Sequence, residues 1–236
     1  VYVEKPMALN AAECQAMIAV CAAAGVRLFV AYYRRSLPRF IQVRSWLEQG
    51  AIGTVCSVSV RMRQRPAAAE LNPATLPWGL QAAAAGGGKF MDLAVHILDF
   101  LVHCFGPIEA ASGQAANHGG LYAVEDTVVA SWRHANGVQG SGDWCFVATD
   151  DLDQVEITGT KGRIVFECFA DTPVRLLSLA GNQEAALPNP PHVQQPYIQR
   201  IVDELTGRGH CPGDTAQAAG LQAATDSILA AYYGRA

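Results

Sequence analysis

The first 32 residues read VYVEKPMALNAAECQAMIAVCAAAGVRLFVAY, from Val1 to Tyr32. Val1 to Glu4 is an apolar, strand-forming run, and Pro6 stops it because proline has no N–H to extend a ladder. Asn10 stands where a helix N-cap belongs, and Glu13 follows at the capping-box position. The alanine-rich run that follows continues the helix to Ala24, and Gly25 ends it. Val26 to Tyr32 is apolar again and reads as a second strand. Strand, helix, strand at this spacing is a βαβ unit, so the two strands are expected to be parallel. One such unit cannot cover both faces of a parallel sheet by itself. It is expected either to join later strands or to be the end of a larger domain.

Beyond it, Arg39 to Gln49 reads as a helix entered through Pro38 and closed by Gly50, and Gly53 begins a strand that runs to Arg63. Residues 64–85 are loop-like. Then comes GGGKFMDLAVHILDFLVHCFG, Gly86 to Gly106, the most apolar helix of the chain. From about 107 to 180 short β-rich runs alternate with turn signals such as Asn136-Gly137, which points to antiparallel strands. Helices over 196–207 and 214–233 close the chain. The expected class is α+β: a large, mainly antiparallel sheet with helices on one face, the 89–104 helix among them, preceded by the βαβ unit. The other face of such a sheet is expected to be apolar and to need a partner. Val138 to Phe146, with Trp144 and Phe146 in phase, is the segment expected to present it.

Half of the 236 residues are hydrophobic, 16% are charged and the net charge is −4. That composition supports a sizeable core and lacks the basic density that nucleic acid requires. Arg61, Arg63 and Arg65 alternate along a strand and read as a solvated or anion-facing edge. Cys14, Cys21, Cys56, Cys104, Cys145, Cys168 and Cys211 are scattered, odd in number and form no CxxC pair. They read as buried thiols in a reducing cytoplasm, not as disulfides or a zinc site. No signal peptide and no 18-residue apolar span is found, so no membrane partner is expected.

Four motifs can carry chemistry. Glu4-Lys5-Pro6 ends the first strand, at the sheet edge where ligands bind in α/β folds. Lys5 there can offer a cation to a carbonyl, hydroxyl or cofactor amide, or it can be a surface lysine. Tyr32 to Arg35 closes the second strand, and an arginine there can meet an anion or pair with the following helix. Asp92, His96, Asp99 and His103 are spaced four, three and four apart, which on an α-helix places them on one face. Asp92 and His96 can form an acid/base pair in which the carboxylate fixes the imidazole tautomer. The alternative is a stripe facing water or satisfied in the core. Gly86-Gly87-Gly88 can expose N–H donors or simply make a tight turn, and no GxGxxG follows any strand.

Glu4-Lys5-Pro6, Val30 to Arg35 with Pro38, Gln49-Gly50-Ala51-Ile52-Gly53, Gly86-Gly87-Gly88 with Asp92, His96 and Asp99, and QVEITGTKG over 154–162 occur in a specific order. In this order the chain resembles the glucose–fructose oxidoreductase and inositol dehydrogenase family, Gfo/Idh/MocA, over nearly its whole length. The resemblance implies a Rossmann domain binding NAD or NADP, of which residues 1–35 are the C-terminal remnant. Residues 36–236 are then the substrate-binding and oligomerisation domain. It implies Lys5, Asp92 and His96 as catalytic residues, with His96 the acid/base, Lys5 holding the substrate oxygen and Asp92 orienting His96. Glu4, Lys5, Pro6 and Arg35 are implied at the cofactor, and Tyr33, Lys5, Asp92 and His96 at a sugar, cyclitol or related polyol. Ala94 departs from a glycine common in the family. The larger departure is upstream of Lys5, where the family has ~90 more residues at about 30 per βα unit, including the phosphate loop. The expected function is the substrate half of an NAD(P)-dependent oxidoreductase, inactive alone, in a homodimer or higher oligomer. The alternatives are a redox-assisted hydrolase or epimerase of the same family, or a non-enzymatic ligand-binding or assembly chain. A metal hydrolase built on the stripe would need a third ligand, and no metal is expected.

Overall fold

A computed structural model of the protein describes residues 1–234. β1 (Tyr2–Val3), α1 (Ala11–Ala23) and β2 (Phe29–Val30) form the βαβ unit, with Tyr2 opposite Phe29 and Val3 opposite Val30 in a parallel pair. Asn10 is extended and its side chain accepts the Glu13 amide at 2.9 Å. The Glu13 carboxylate reaches back to the Leu9 amide at 3.1 Å, one residue earlier than a standard capping box. β2 is shorter than the 26–32 run. β1 offers only two residues for pairing before Lys5-Pro6, and Pro6 cannot donate to a ladder.

α2 (Pro38–Glu48) starts on proline, where the missing N–H costs nothing. After β3 (Val55–Arg63), residues 64–89 run through short turns and the single helical turn α3 (Ala82–Ala85). A π-helical turn, Phe90–Ala94, leads into α4 (Val95–Phe105). Six strands follow in quick succession from β4 (Ile108–Ala116): β5 (Thr127–His134), β6 (Gln139–Cys145), β7 (Leu152–Gly159), β8 (Gly162–Phe166) and β9 (Val174–Ser178). After them come β10 (Gly181–Ala185), α5 (Gln195–Leu205) and α6 (Thr215–Tyr233).

The large sheet has eight strands in the order β10-β9-β8-β7-β3-β6-β5-β4. Every neighbouring pair is antiparallel except β3 with β6. Alternation selects the faces. Val128, Ala130, Trp132 and His134 of β5 are buried, while Val129, Ser131 and Arg133 face out. The buried face packs on the helices: the Phe90 ring stands edge-on to Trp144 at 5.0 Å.

This corrects the expectation for 138–146. Trp144 and Phe146 do share a face, but it is the inner one, and both are fully buried. The outer face of these strands carries Ser57, Ser59, Arg61, Gln139, Ser141 and Asp143, so it is polar rather than apolar. Gly140 and Gly142 make room for the two tryptophans. A Cβ on Gly140 would meet the Trp132 ring at 2.1 Å, and one on Gly142 the Trp144 ring at 2.3 Å. Among the described residues no helix is long and apolar enough to cross a membrane.

Candidate active site

The expected stripe of four ionisable residues is divided in two by the π-turn. A π-turn closes i to i+5 rings and so holds an extra residue. Everything before it is rotated by roughly 100° relative to a continuous α-helix. Asp92, inside the turn, has a side chain 56% exposed, whereas His96 and Asp99, beyond it, are 4% and 1% exposed.

The lower half of the stripe is structural. Arg35 Nε and Nη2 donate to the two Asp99 oxygens at 2.8 and 2.6 Å, and Nη1 donates to the Pro212 carbonyl and to Gln217. Burial works against charge on Arg35, but the Asp99 carboxylate outweighs it and holds the guanidinium charged. Arg35 was expected at the cofactor. It is instead committed to this ion pair, with its side chain sealed from solvent. His103 meets Arg44, and burial, with Arg35 and Arg44, pushes its imidazole down to about 3.

The upper half forms the site. Lys5 leaves the end of β1 and its ammonium donates to the Asp92 carbonyl at 2.7 Å and to the Asp92 carboxylate. A strand end of the parallel pair is thereby tied to the start of the most apolar helix. The expected Asp92–His96 hydrogen bond is absent, because Asp92 is turned toward Lys5. His96 lies one turn on, its ring edge-on to Tyr33 at 5.6 Å and to Phe169 at 5.5 Å. Its Nδ1 is sealed and has no hydrogen-bond partner. Burial, then Arg34, then Lys5 push His96 down to about 2, so the ring is neutral at ordinary pH. Glu4 is exposed and accepts from Gln194 at 2.8 Å.

The triple glycine serves the site by packing. The Gly88 amide donates to both oxygens of the buried Glu125 at 2.9 and 3.0 Å, and a Cβ there would meet the Glu125 carbonyl at 2.5 Å. The Glu125 carboxylate thus sits at the start of the helical stretch that carries Asp92 and His96, where the helix dipole favours it. Arg61, Arg63 and Arg65 pair with Asp143, Asp150 and Asp151 along the outer edge. One neighbour of His96, Phe169 beyond β8, carried no sequence signal; Arg34, from the Tyr32 to Arg35 stretch, lies with its guanidinium over the Phe169 ring at 4.4 Å.

The site therefore brings together Lys5, Asp92, His96 and Tyr33, and leaves Arg35 out. A fixed ammonium within electrostatic reach of a neutral imidazole, at the C-terminal edge of parallel strands, can hold a hydroxyl oxygen and move its proton.

A family model described as the GFO/IDH/MocA C-terminal domain matches residues 40–165, more than half of the chain. Oxidoreductase P35 of Formosa agariphila is 30% identical over 222 residues, 93% of this chain and 67% of that protein. Trans-1,2-dihydrobenzene-1,2-diol dehydrogenase of Sus scrofa is 30% identical over 190 residues, 80% of this chain and 53% of its own length. The chain thus spans two thirds of one curated relative and about half of the other. Among solved structures, levoglucosan dehydrogenase in complex with NADH and levoglucosan superposes with a TM-score of 0.84 at 21% identity, over 100% of this chain and 72% of its own. Aldose-aldose oxidoreductase from Caulobacter crescentus complexed with glycerol gives a TM-score of 0.83 at 23% identity, over 100% of this chain and 70% of its own. These two superpositions speak for the fold. The matched domain and the relative aligned along nearly the whole chain establish that this protein belongs to the Gfo/Idh/MocA family.

Proposed function

We propose that residues 36–236 form the substrate-binding portion, and residues 1–35 the end of the dinucleotide-binding portion, of an NAD(P)-dependent oxidoreductase. Its substrate is a secondary alcohol or carbonyl of a sugar, cyclitol or related polyol. The observation that carries this reading is the Lys5–Asp92 pair, which fixes an ammonium beside the neutral His96 at the C-terminal end of β1. Family members solved with NADH and with a sugar or glycerol in place support it.

The residues present suit the nicotinamide end of the cofactor. Glu4, Lys5 and Pro6 lie at the sheet edge where such a ring binds, and Lys5 is held in place before any ligand arrives. When bound, the dinucleotide supplies the hydride acceptor. The remaining work falls to the chain. Lys5 donates to the substrate oxygen and stabilises the charge that grows on it. Asp92 holds Lys5 aimed through its carbonyl and carboxylate. His96 takes the hydroxyl proton in oxidation and returns it in reduction, a role that requires its imidazole to be more basic with substrate and dinucleotide bound than burial leaves it here. Tyr33 lines the same side of the imidazole environment and contacts the substrate ring. The seven free thiols fit a cytoplasmic enzyme. Self-association through the outer sheet face is part of the same reading.

The test is oxidation of a panel of sugars, cyclitols and diols, followed by dinucleotide absorbance, with this chain joined to a dinucleotide-binding domain. Turnover of at least one polyol with NAD or NADP is expected. Inertness toward the whole panel with the dinucleotide bound would overturn the proposal.

A further inference from the structure

An imidazole that works in proton transfer is normally held by a hydrogen bond from its second nitrogen to a carboxylate or carbonyl. His96 has none, since Asp92 belongs to Lys5 and Nδ1 meets no acceptor. Its orientation must come from packing, and the rings that pack on it are Tyr33 and Phe169.

Phe169 lies in an irregular segment beyond the end of β8, yet its backbone is gripped from both sides. Arg39 Nη1 donates to the Glu167 carbonyl at 3.2 Å and Arg34 Nη1 to the Cys168 carbonyl at 2.6 Å. The two oxygens of Asp153, from β7, accept the Cys168 and Phe169 amides at 3.0 and 2.6 Å. Arg34 also covers the Phe169 ring at 4.4 Å, a cation–π contact. Four side-chain hydrogen bonds on three consecutive residues exceed what a connecting segment needs. Arg34 and Arg39 bring two like charges together to make them, with Asp171 pairing with Arg39 at 3.5 Å. Burying two guanidinium groups is costly unless it secures something.

We infer that Phe169, fixed by the clamp of Arg34, Arg39 and Asp153, is the positioning residue that orients His96 in place of a hydrogen-bonded carboxylate. As a statement about catalysis this rests on the oxidoreductase reading. As a statement about His96 geometry it stands apart, and the test separates the two.

The first measurement is side-chain NMR of histidine-labelled 236-residue chain across pH 3–8. The charged groups facing His96 are Arg34 and Lys5, and neither is altered. Phe169→Leu removes the ring but keeps apolar volume, Asp153→Asn loosens the clamp without touching the ring, and Phe169→Tyr keeps the ring. Phe169→Leu and Asp153→Asn are expected to shift the His96 resonances and, as solvent reaches the ring, to bring its titration into the pH 3–8 range, where the wild-type ring stays neutral. Phe169→Tyr is expected to restore the wild-type signals. With a dinucleotide domain attached, Phe169→Leu is expected to lower kcat by roughly 10–100-fold with KM little changed, the usual penalty for a misplaced catalytic group.

Folded Phe169→Leu and Asp153→Asn chains with unchanged His96 signals would overturn the inference, whatever their turnover. If Phe169→Leu fails to fold, Asp153→Asn decides alone. A shifted His96 in an enzyme indifferent to His96→Ala would instead remove the oxidoreductase reading and leave the packing role standing.

Discussion

Asp99→Ala strips the Arg35 guanidinium of the one carboxylate it pairs with among the described residues, in a place that solvent does not reach. The side chains of the pair are 1% and 2% exposed. Two charge-assisted hydrogen bonds are lost, at 2.8 and 2.6 Å, while the bonds to the Pro212 carbonyl and to Gln217 remain. Such bonds contribute about 1.5–3 kcal/mol each. Breaking a buried pair from one side typically costs about 3–5 kcal/mol. The two surviving acceptors place the expected loss toward the lower end, near ~3 kcal/mol. Urea unfolding followed by far-UV circular dichroism measures it, with midpoint and slope fitted together. The double variant Arg35→Met/Asp99→Leu removes both charges and is expected to recover at least about half of the loss. A stability of Asp99→Ala within ~1 kcal/mol of wild type, below any buried-pair value, would refute the claim that Arg35 is structural.

Gly140→Ala drives a methyl group into the Trp132 ring at 2.1 Å and should cost about 1–3 kcal/mol, read as a lowered thermal midpoint. An unchanged midpoint would mean that the indole lies elsewhere. Stability should also fall in acid through buried histidines. His134 accepts the Trp132 indole N–H at 3.1 Å through Nε2 and meets the Gly106 carbonyl through Nδ1, and burial lowers its pKa despite that carbonyl. His96 and His103 are pushed down to about 2 and about 3, chiefly by burial. Depressed folded-state values mean that the contribution is full above the unfolded value near ~6.5 and is lost as pH falls below it. The slope is up to about 1.4 kcal/mol per pH unit for each imidazole, and denaturation midpoints flat between pH 7 and 4 would contradict it.

Local periodicity carried much of this fold. The βαβ unit, the Asn10 cap and the striped helix all follow from spacings within about four residues, which backbone geometry enforces regardless of the surroundings. The site was legible to the same depth. Lys5 and His96 stand at a strand end and on an apolar helix, and both positions are written in sequence. What depended on distant pairing was not legible. The π-turn that separates Asp92 from His96 lies inside an unbroken helical pattern. Arg35 could equally meet a ligand or an ion pair until Asp99 is placed beside it. Phe169 reaches His96 only because β7 and β8 pair in one register. The inward face of 138–146 was within reach, since Gln139, Ser141 and Asp143 alternate with Gly140, Gly142 and Trp144. A period of two says which residues share a face, and polarity then says which face meets water.

The central claim is that Lys5, Asp92 and His96 run proton transfer for hydride chemistry. Single-turnover reduction of NAD or NADP by a polyol, compared between wild type and His96→Ala in the chain joined to a dinucleotide-binding domain, tests it most directly. The account expects dinucleotide affinity to be retained and the rate of the chemical step to fall by roughly 10²–10⁴-fold. A rate within about threefold of wild type, far below any acid/base contribution, would contradict it.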